Sequence, residues 1–191
     1  MTMENALIVS DSGKLPAFFV EMLNAASGNH TAVVQSGGEA RRYLLEKDFD
    51  LVLVNAPLRD ESGESLSRHI ASKSSSQVIL LVKNECFDAV SAVCEDDGVL
   101  TLSRPVNKVV FEAALSLVRS AVNRTRRLQA ENAQLKRRID DIRIVDRAKW
   151  ILISYMNLSE QEAHRYMEKQ AMDMRTTKRA IAEGILKTYD N

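Results

Sequence analysis

The sequence predicts an α/β, doubly wound, parallel five-stranded sheet, followed by a long coiled-coil helix and a small all-α three-helix domain. Three observations carry that prediction. Short apolar runs alternate with amphipathic stretches over the first 120 residues, and such alternation builds parallel strands with helices on both faces. The runs are continuously apolar, as in strands covered on both sides. From about Phe111 the chain continues without Gly or Pro to about Met156, well beyond an ordinary helix.

The elements follow in order. Ala6-Leu7-Ile8-Val9 reads as the first strand, and residues 16–26 as a helix with Phe18, Phe19, Met22 and Leu23 apolar at helical spacing. Thr31-Ala32-Val33-Val34 reads as the second strand, and residues 38–47 as a helix packed through Ala40, Leu44 and Leu45. Residues 51–54, 78–82 and 99–102 complete the sheet, and a helix begins at Lys108.

Within that helix lies a heptad seam. Val118, Thr125, Asn132 and Ile139 occupy one core position, and Ala121, Leu128, Leu135 and Ile142 the other. A core Asn pairs best with its own copy and favours a parallel two-stranded register. Glu131 and Lys136 attract across such a homodimer, whereas Arg138 and Arg143 repel. The expected dimer contacts are Leu128, Asn132, Leu135, Ile139 and Ile142. Asn157-Leu158 interrupts the helix, and Ser159-Glu160-Gln161-Glu162 reads as a capping box opening the next one. Thr177 is the expected N-cap of the last, which ends near Tyr189. The divisions read from the sequence are residues 1–120, a coiled-coil linker 121–145 and a helical domain 146–191.

Composition narrows the function. The formal net charge is zero, but residues 1–120 hold 11 basic and 16 acidic side chains, and residues 121–191 hold 15 and 10. Any polyanionic partner is therefore expected at the C-terminal end. The N-terminal residues carry no basic stretch ahead of an apolar run, so the chain reads as cytoplasmic, without a membrane partner. Cys86 and Cys94 read as small apolar fillers, and His30, His69 and His164 make no metal-ligand spacing with them. No nucleophile–base set, metal cluster or glycine-rich phosphate loop is visible, so neither a cofactor nor an enzyme is expected.

Residues 5–120 resemble the response-regulator receiver domain. The resemblance rests on the strand pattern, on Gly63 eight residues after Asn55, and on Arg104-Pro105 after the fifth strand where the family has Lys-Pro. That family uses an acid pair to hold magnesium, a nucleophilic carboxylate, a hydroxyl and a lysine. Here Ser10-Asp11 stands for the acid pair, Asn55 for the nucleophile, Val82 for the hydroxyl residue and Arg104 for the lysine. An amide is no phosphoryl acceptor, and a lone Asp11 is a poor magnesium ligand set. Asp60, the one other acid nearby, is a weak stand-in. The expectation is a degenerate phospho-acceptor pocket that takes no phosphoryl group. Its surface is expected to dock a sensor or repressor protein.

Residues 142–186 resemble the ANTAR family of RNA-binding antitermination modules. The carrying residues are Arg147-Ala148-Lys149, Ile151-Leu152, Leu158-Ser159-Glu160, Glu162-Ala163, Ala171-Met172-Asp173, Arg175, Thr177, Ile181-Ala182 and Ile185-Leu186. Trp150 and Ile153 depart from the small residue and the methionine expected there. The resemblance implies binding of RNA stem-loops in a transcript leader, which lets transcription continue past a terminator. Phosphates call for Lys and Arg, and the expected contacts are Arg147, Lys149, Arg175 and Lys178. Arg143 and Lys136 recur at helical spacing with Arg147, and Trp150, Tyr155 and Tyr166 are candidates to stack on bases. The alternative is a dimeric DNA-binding regulator of two-component type. Its basic residues would lie inside or after the seam rather than in a free helical extension ahead of it.

Overall fold

The computed structural model describes residues 4–11, 17–28 and 30–189. The chain forms two compact units, Met1–Arg127 and Leu128–Asn191. In the first, β1 (Ala6–Ser10), α1 (Ala17–Ala26), β2 (Thr31–Val34), α2 (Gly37–Glu46), β3 (Leu51–Asn55), α3 (Glu64–Lys73) and β4 (Gln77–Lys83) follow one another. A short 3-10 turn leads into α4 (Phe87–Glu95), β5 (Leu100–Arg104) and the 49-residue α5 (Lys108–Met156), which belongs to both units. The strands are all parallel in the order β2-β1-β3-β4-β5, which is the flavodoxin-like doubly wound order.

Side chains alternate across the sheet, so the apolar runs of β1, β3 and β4 each feed two cores. Leu7, Val9, Val52, Val54, Val78, Leu80 and Val82 face Ala40, Leu66, Ile70 and Cys94 from α2, α3 and α4. Ala6, Ile8, Leu51, Leu53, Ile79 and Leu81 face Phe19 and Leu23 of α1 and Phe111, Leu115, Val118 and Val122 of α5. Phe111 meets Phe19 edge-on at 4.4 Å between ring centroids. At the opposite end of the sheet from the candidate pocket, Arg126 of α5 donates to both carboxylate oxygens of Asp50, each at 2.8 Å. Asp50 also accepts from the Glu4 backbone N–H at 2.6 Å. One carboxylate thereby joins the start of β3, the approach to β1 and α5.

The structure refines the sequence reading in several places. Helices α3 and α4 were not individually predicted. Leu45 is exposed rather than packed: Ala40 and Leu44, four residues apart, share the face toward the sheet, and Leu45 lies about 100° further round. Cys94 is a buried filler, but Cys86 is exposed. Val118, read as the first seam position, is buried in the first unit's own core. Pro16, read as the start of the first helix, lies outside the described residues.

The second unit contains the C-terminal part of α5, α6 (Glu160–Asp173) and α7 (Lys178–Tyr189). Its core is Ala148, Leu152, Ala163, Met167 and Ala182, ringed by Ile144, Val145, Ile153, Leu158, Ile181, Ile185 and Leu186. Three alanines in so small a core let the helix backbones approach closely. The predicted capping box forms: Ser159 Oγ accepts from the Glu162 N–H at 3.3 Å, and the Glu162 carboxylate accepts from the Ser159 N–H at 2.8 Å. Thr177 Oγ1 accepts from the Ala180 N–H at 3.2 Å, as an N-cap should. Among the described residues no helix is long and apolar enough to cross a membrane.

Candidate functional site

Parallel register places the predicted pocket residues at the C-terminal ends of the strands. Ser10 lies directly beside Asn55, and Lys83 beside Arg104. Asn55 is 3% exposed. Its Nδ2 donates to Ser10 Oγ at 3.0 Å, and Ser10 Oγ donates onward to the Asp11 carbonyl at 3.3 Å. Among the described residues Asn55 Oδ1 has no hydrogen-bond partner. The positions that would carry a nucleophile and an acid are thus filled by a neutral amide–hydroxyl pair bonded to each other. Val82 is buried at the end of β4 and lines an apolar cavity of about 260 Å³ with Ala56, Pro57, Cys86 and Val90. No hydroxyl stands at that position. Arg104 is turned inward: its Nη2 donates to the Ala56 carbonyl, and its buried Nε has no hydrogen-bond partner among the described residues.

Asp60 is committed elsewhere. Its two carboxylate oxygens accept from the Gly37 and Gly38 N–H groups, each at 2.9 Å, at the first turn of α2. Those two backbone donors hold its carboxyl below the usual carboxylate range. Its neighbour Glu61 pairs with Arg41. The loop after β3 is therefore pinned to α2 through Asp60 and Glu61. Gly63 is required where it stands: its φ is +88°, and a Cβ there would meet Ala56 Cβ at 3.0 Å.

In the second unit the four predicted RNA contacts fall into two kinds. Lys149 and Lys178 are helix-to-helix ties. Lys149 is 17% exposed and bridges Asp146 at 2.8 Å and Glu160 at 3.4 Å, joining α5 to α6. The bond to Asp146 is the main cause of its raised pKa. Lys178 pairs with Glu168 at 2.5 Å, joining α7 to α6. Arg179, its neighbour, pairs with Asp141 at 2.6 Å and Glu183 at 2.8 Å, joining α7 to α5. Arg147 and Arg175 are exposed. Arg147 and Lys149, two residues apart, point about 160° away from each other around α5.

Arg175 has a specific backbone setting. The Thr176 N–H bonds to the Ala171 carbonyl at 2.9 Å and the Arg175 N–H to the Met172 carbonyl at 3.2 Å. This is the Schellman pattern, and Arg175 occupies its left-handed position with φ of +49°. Glycine is the usual residue there, because a Cβ costs about 1 kcal/mol. The chain carries that strain and presents a cation at the turn between α6 and α7.

The seam residues that fall in the second unit are also exposed: Leu128, Leu135, Ile139 and Ile142 each show half or more of their surface. The network of ion pairs between α5, α6 and α7 was not visible in the sequence, nor was the Asp50–Arg126 clamp. Both depend on residues brought together from distant positions, with no local spacing to announce them.

Comparison with known proteins agrees with this division. Structures of receiver domains share the first unit's fold. The CheY-like receiver domain from Methylobacillus flagellatus superposes with a TM-score of 0.52 at 21% identity, covering 61% of this chain and 99% of that one. The BeF3-activated receiver domain of nitrogen regulatory protein C gives 0.51 at 21% identity, covering 65% of this chain and 98% of that one. Residues 133–186 match the ANTAR domain. The chain thus carries this ANTAR match after a unit with the fold of receiver domains. Among its relatives is the transcriptional regulatory protein PdtaR of Mycobacterium tuberculosis, 26% identical over 182 residues, which span 95% of this chain and 89% of PdtaR.

Proposed function

We propose that this chain is a transcription antiterminator whose C-terminal three-helix unit binds RNA stem-loops in a transcript leader. The observation that carries the reading is the ANTAR match, which covers most of the second unit. The relation to a transcriptional regulatory protein along nearly its whole length supports it. The basic balance of residues 121–191 supplies the electrostatic attraction. Arg147 and Arg175 are the phosphate contacts of choice, being exposed. Lys149 and Lys178 act mainly by holding the three helices in place.

On this reading the receiver domain takes no phosphoryl group, because Asn55 and Ser10 satisfy one another as neutral partners and Asp60 is held at α2. Control then passes through a sensor or repressor protein docked on the receiver domain. The exposed Val93, Val109 and Leu117 on α4 and α5 offer it apolar surface. The seam from Leu128 to Ile142 closes a parallel homodimer, in which Asn132 meets its own copy and sets the register. Two copies present two RNA-binding units, matching paired stem-loops. The test is capture of the full chain with its bound transcripts from cells, followed by sequencing. The account expects enrichment of leader segments that hold stem-loops ahead of a terminator. Recovery of transcripts without such elements contradicts it.

A further inference from the structure

We infer that Trp150 is a stacking platform for an unpaired base of the RNA loop, with Arg143 and Arg147 holding the adjoining phosphates. This rests on the proposed RNA-binding function and adds to it the side chain that reads the loop.

Trp150 is the only tryptophan in the chain, and it is 68% exposed on α5. Tryptophan is among the most buried residues on average, so a fully presented indole forgoes a large burial gain. Among the described residues no aromatic ring packs against it; the ring pair of this unit is Tyr155 with Tyr189. Its face of the helix is rich in cations, with one acid, Asp146, four residues back and paired with Lys149. Arg147 lies three residues back, Arg143 seven and Lys136 fourteen, all exposed. Residues three and seven apart share a helix face, so the indole ends a stripe of three positive side chains. The core residues Ala148 and Leu152 point the other way.

Two occupants suit an exposed indole: a second copy of the chain or a nucleic-acid base. The seam argues against the copy. Its last two apolar positions are Ile139 and Ile142, and the next two are Asp146 and Lys149, which pair with each other at 2.8 Å. The apolar contact thus stops about two turns before Trp150. A line of exposed cations leading along the helix to an aromatic face instead matches a polyanion with an unstacked base. Phosphates neutralise Arg143 and Arg147, and the base finds a π-surface that is indifferent to its identity. RNA loops expose such bases, whereas a continuous duplex does not.

The test uses the full chain, with an RNA hairpin bearing an unpaired loop and a fully paired RNA duplex of equal length. Trp150 emission reports directly on the contact, since no other tryptophan contributes. The expected result is emission quenched by the hairpin and unchanged by the duplex. W150A should weaken hairpin binding about ten- to a hundredfold, with helicity retained, and W150F should recover most of the loss. R143A and R147A should weaken hairpin and duplex alike and flatten the salt dependence. If the parent binds the hairpin but its emission is unmoved and W150A binds equally well, the platform is refuted while RNA binding stands. If W150A instead converts a dimer to a monomer with unchanged RNA affinity per chain, a second copy is the occupant and the inference fails. If the parent binds no hairpin, this inference and the functional proposal fall together.

Discussion

Substituting Asn55→Asp would return the acid that the receiver resemblance lacks, and the structure says what it would cost. Asn55 is 3% exposed and its Nδ2 donates to Ser10 Oγ at 3.0 Å. A protonated Asp can make the same donation, so at low pH the variant is close to isosteric. An ionised Asp cannot, and it is desolvated by the packing around it. Arg104 is held by the Ala56 carbonyl. Burial of this degree raises a carboxyl by about 2–3 pH units. At about 1.4 kcal/mol per unit this amounts to a loss of roughly 3–4 kcal/mol once the group is ionised in both states. The sign follows from linkage. A carboxyl whose folded pKa is raised binds more protons when folded, so the penalty is absent below about pH 4 and grows as pH rises toward the folded value. Urea unfolding of parent and variant at pH 4, 6 and 8 measures the difference. A penalty that does not vary with pH would refute the reasoning, because it would mean that Arg104 leaves Ala56 and pairs with the new carboxylate. A second readout is phosphoryl uptake from a small phosphodonor with magnesium. Neither parent nor N55D should be labelled, since Ser10 and Val82 still lack the acid and the hydroxyl.

Other outcomes follow from the same geometry. Met167→Ala empties a buried site in the second unit and should cost about 2–5 kcal/mol. That is comparable with the whole stability of so small a unit, so thermal melting by circular dichroism should show α6 and α7 lost first. Arg175→Gly relieves the left-handed turn and should stabilise the second unit by about 0.5 kcal/mol while weakening RNA binding, as urea titration and RNA anisotropy would show. Asp50→Ala removes the acceptor of Arg126 and of the Glu4 N–H. It should destabilise the first unit by about 1–2 kcal/mol, a figure reduced for the pair's partial exposure and readable by urea unfolding. Glu162 and Glu168 sit below their ordinary value of 4.5, the first through the Ser159 N–H and the second through Lys178. Their contribution is complete above that value and is lost as pH falls through the lower folded values. Melting of the second unit should therefore weaken below pH 4.5, and less so in Glu162→Gln.

Strands β1, β3 and β4 were legible because their apolar runs serve two covered faces, and their shortness and spacing between amphipathic stretches set them apart from buried helices. The loss of the acid pocket was legible too, because it depends on residue identity at strand ends. Helix α3 was not read out, since its buried contacts are only Leu66, Ser67 and Ile70 among serines and charges. Helix α4 buries Cys94 alone and gives an equally faint period. In the second unit the capping box and the core alanines followed from local spacing. The ion pairs of the cations did not: Lys149 and Lys178 look like any other basic residue in sequence, and only the fold shows that they tie helices together. The strain at Arg175 likewise exists only once the turn between α6 and α7 closes.

Titration of the purified full chain with a short RNA stem-loop and with matched duplex DNA, each at several salt concentrations, decides between the account and its alternatives. The account predicts saturable binding of the stem-loop that weakens steadily with added salt and exceeds binding of the duplex DNA. A chain that leaves the stem-loop unbound at low ionic strength, or that prefers the duplex DNA, contradicts it.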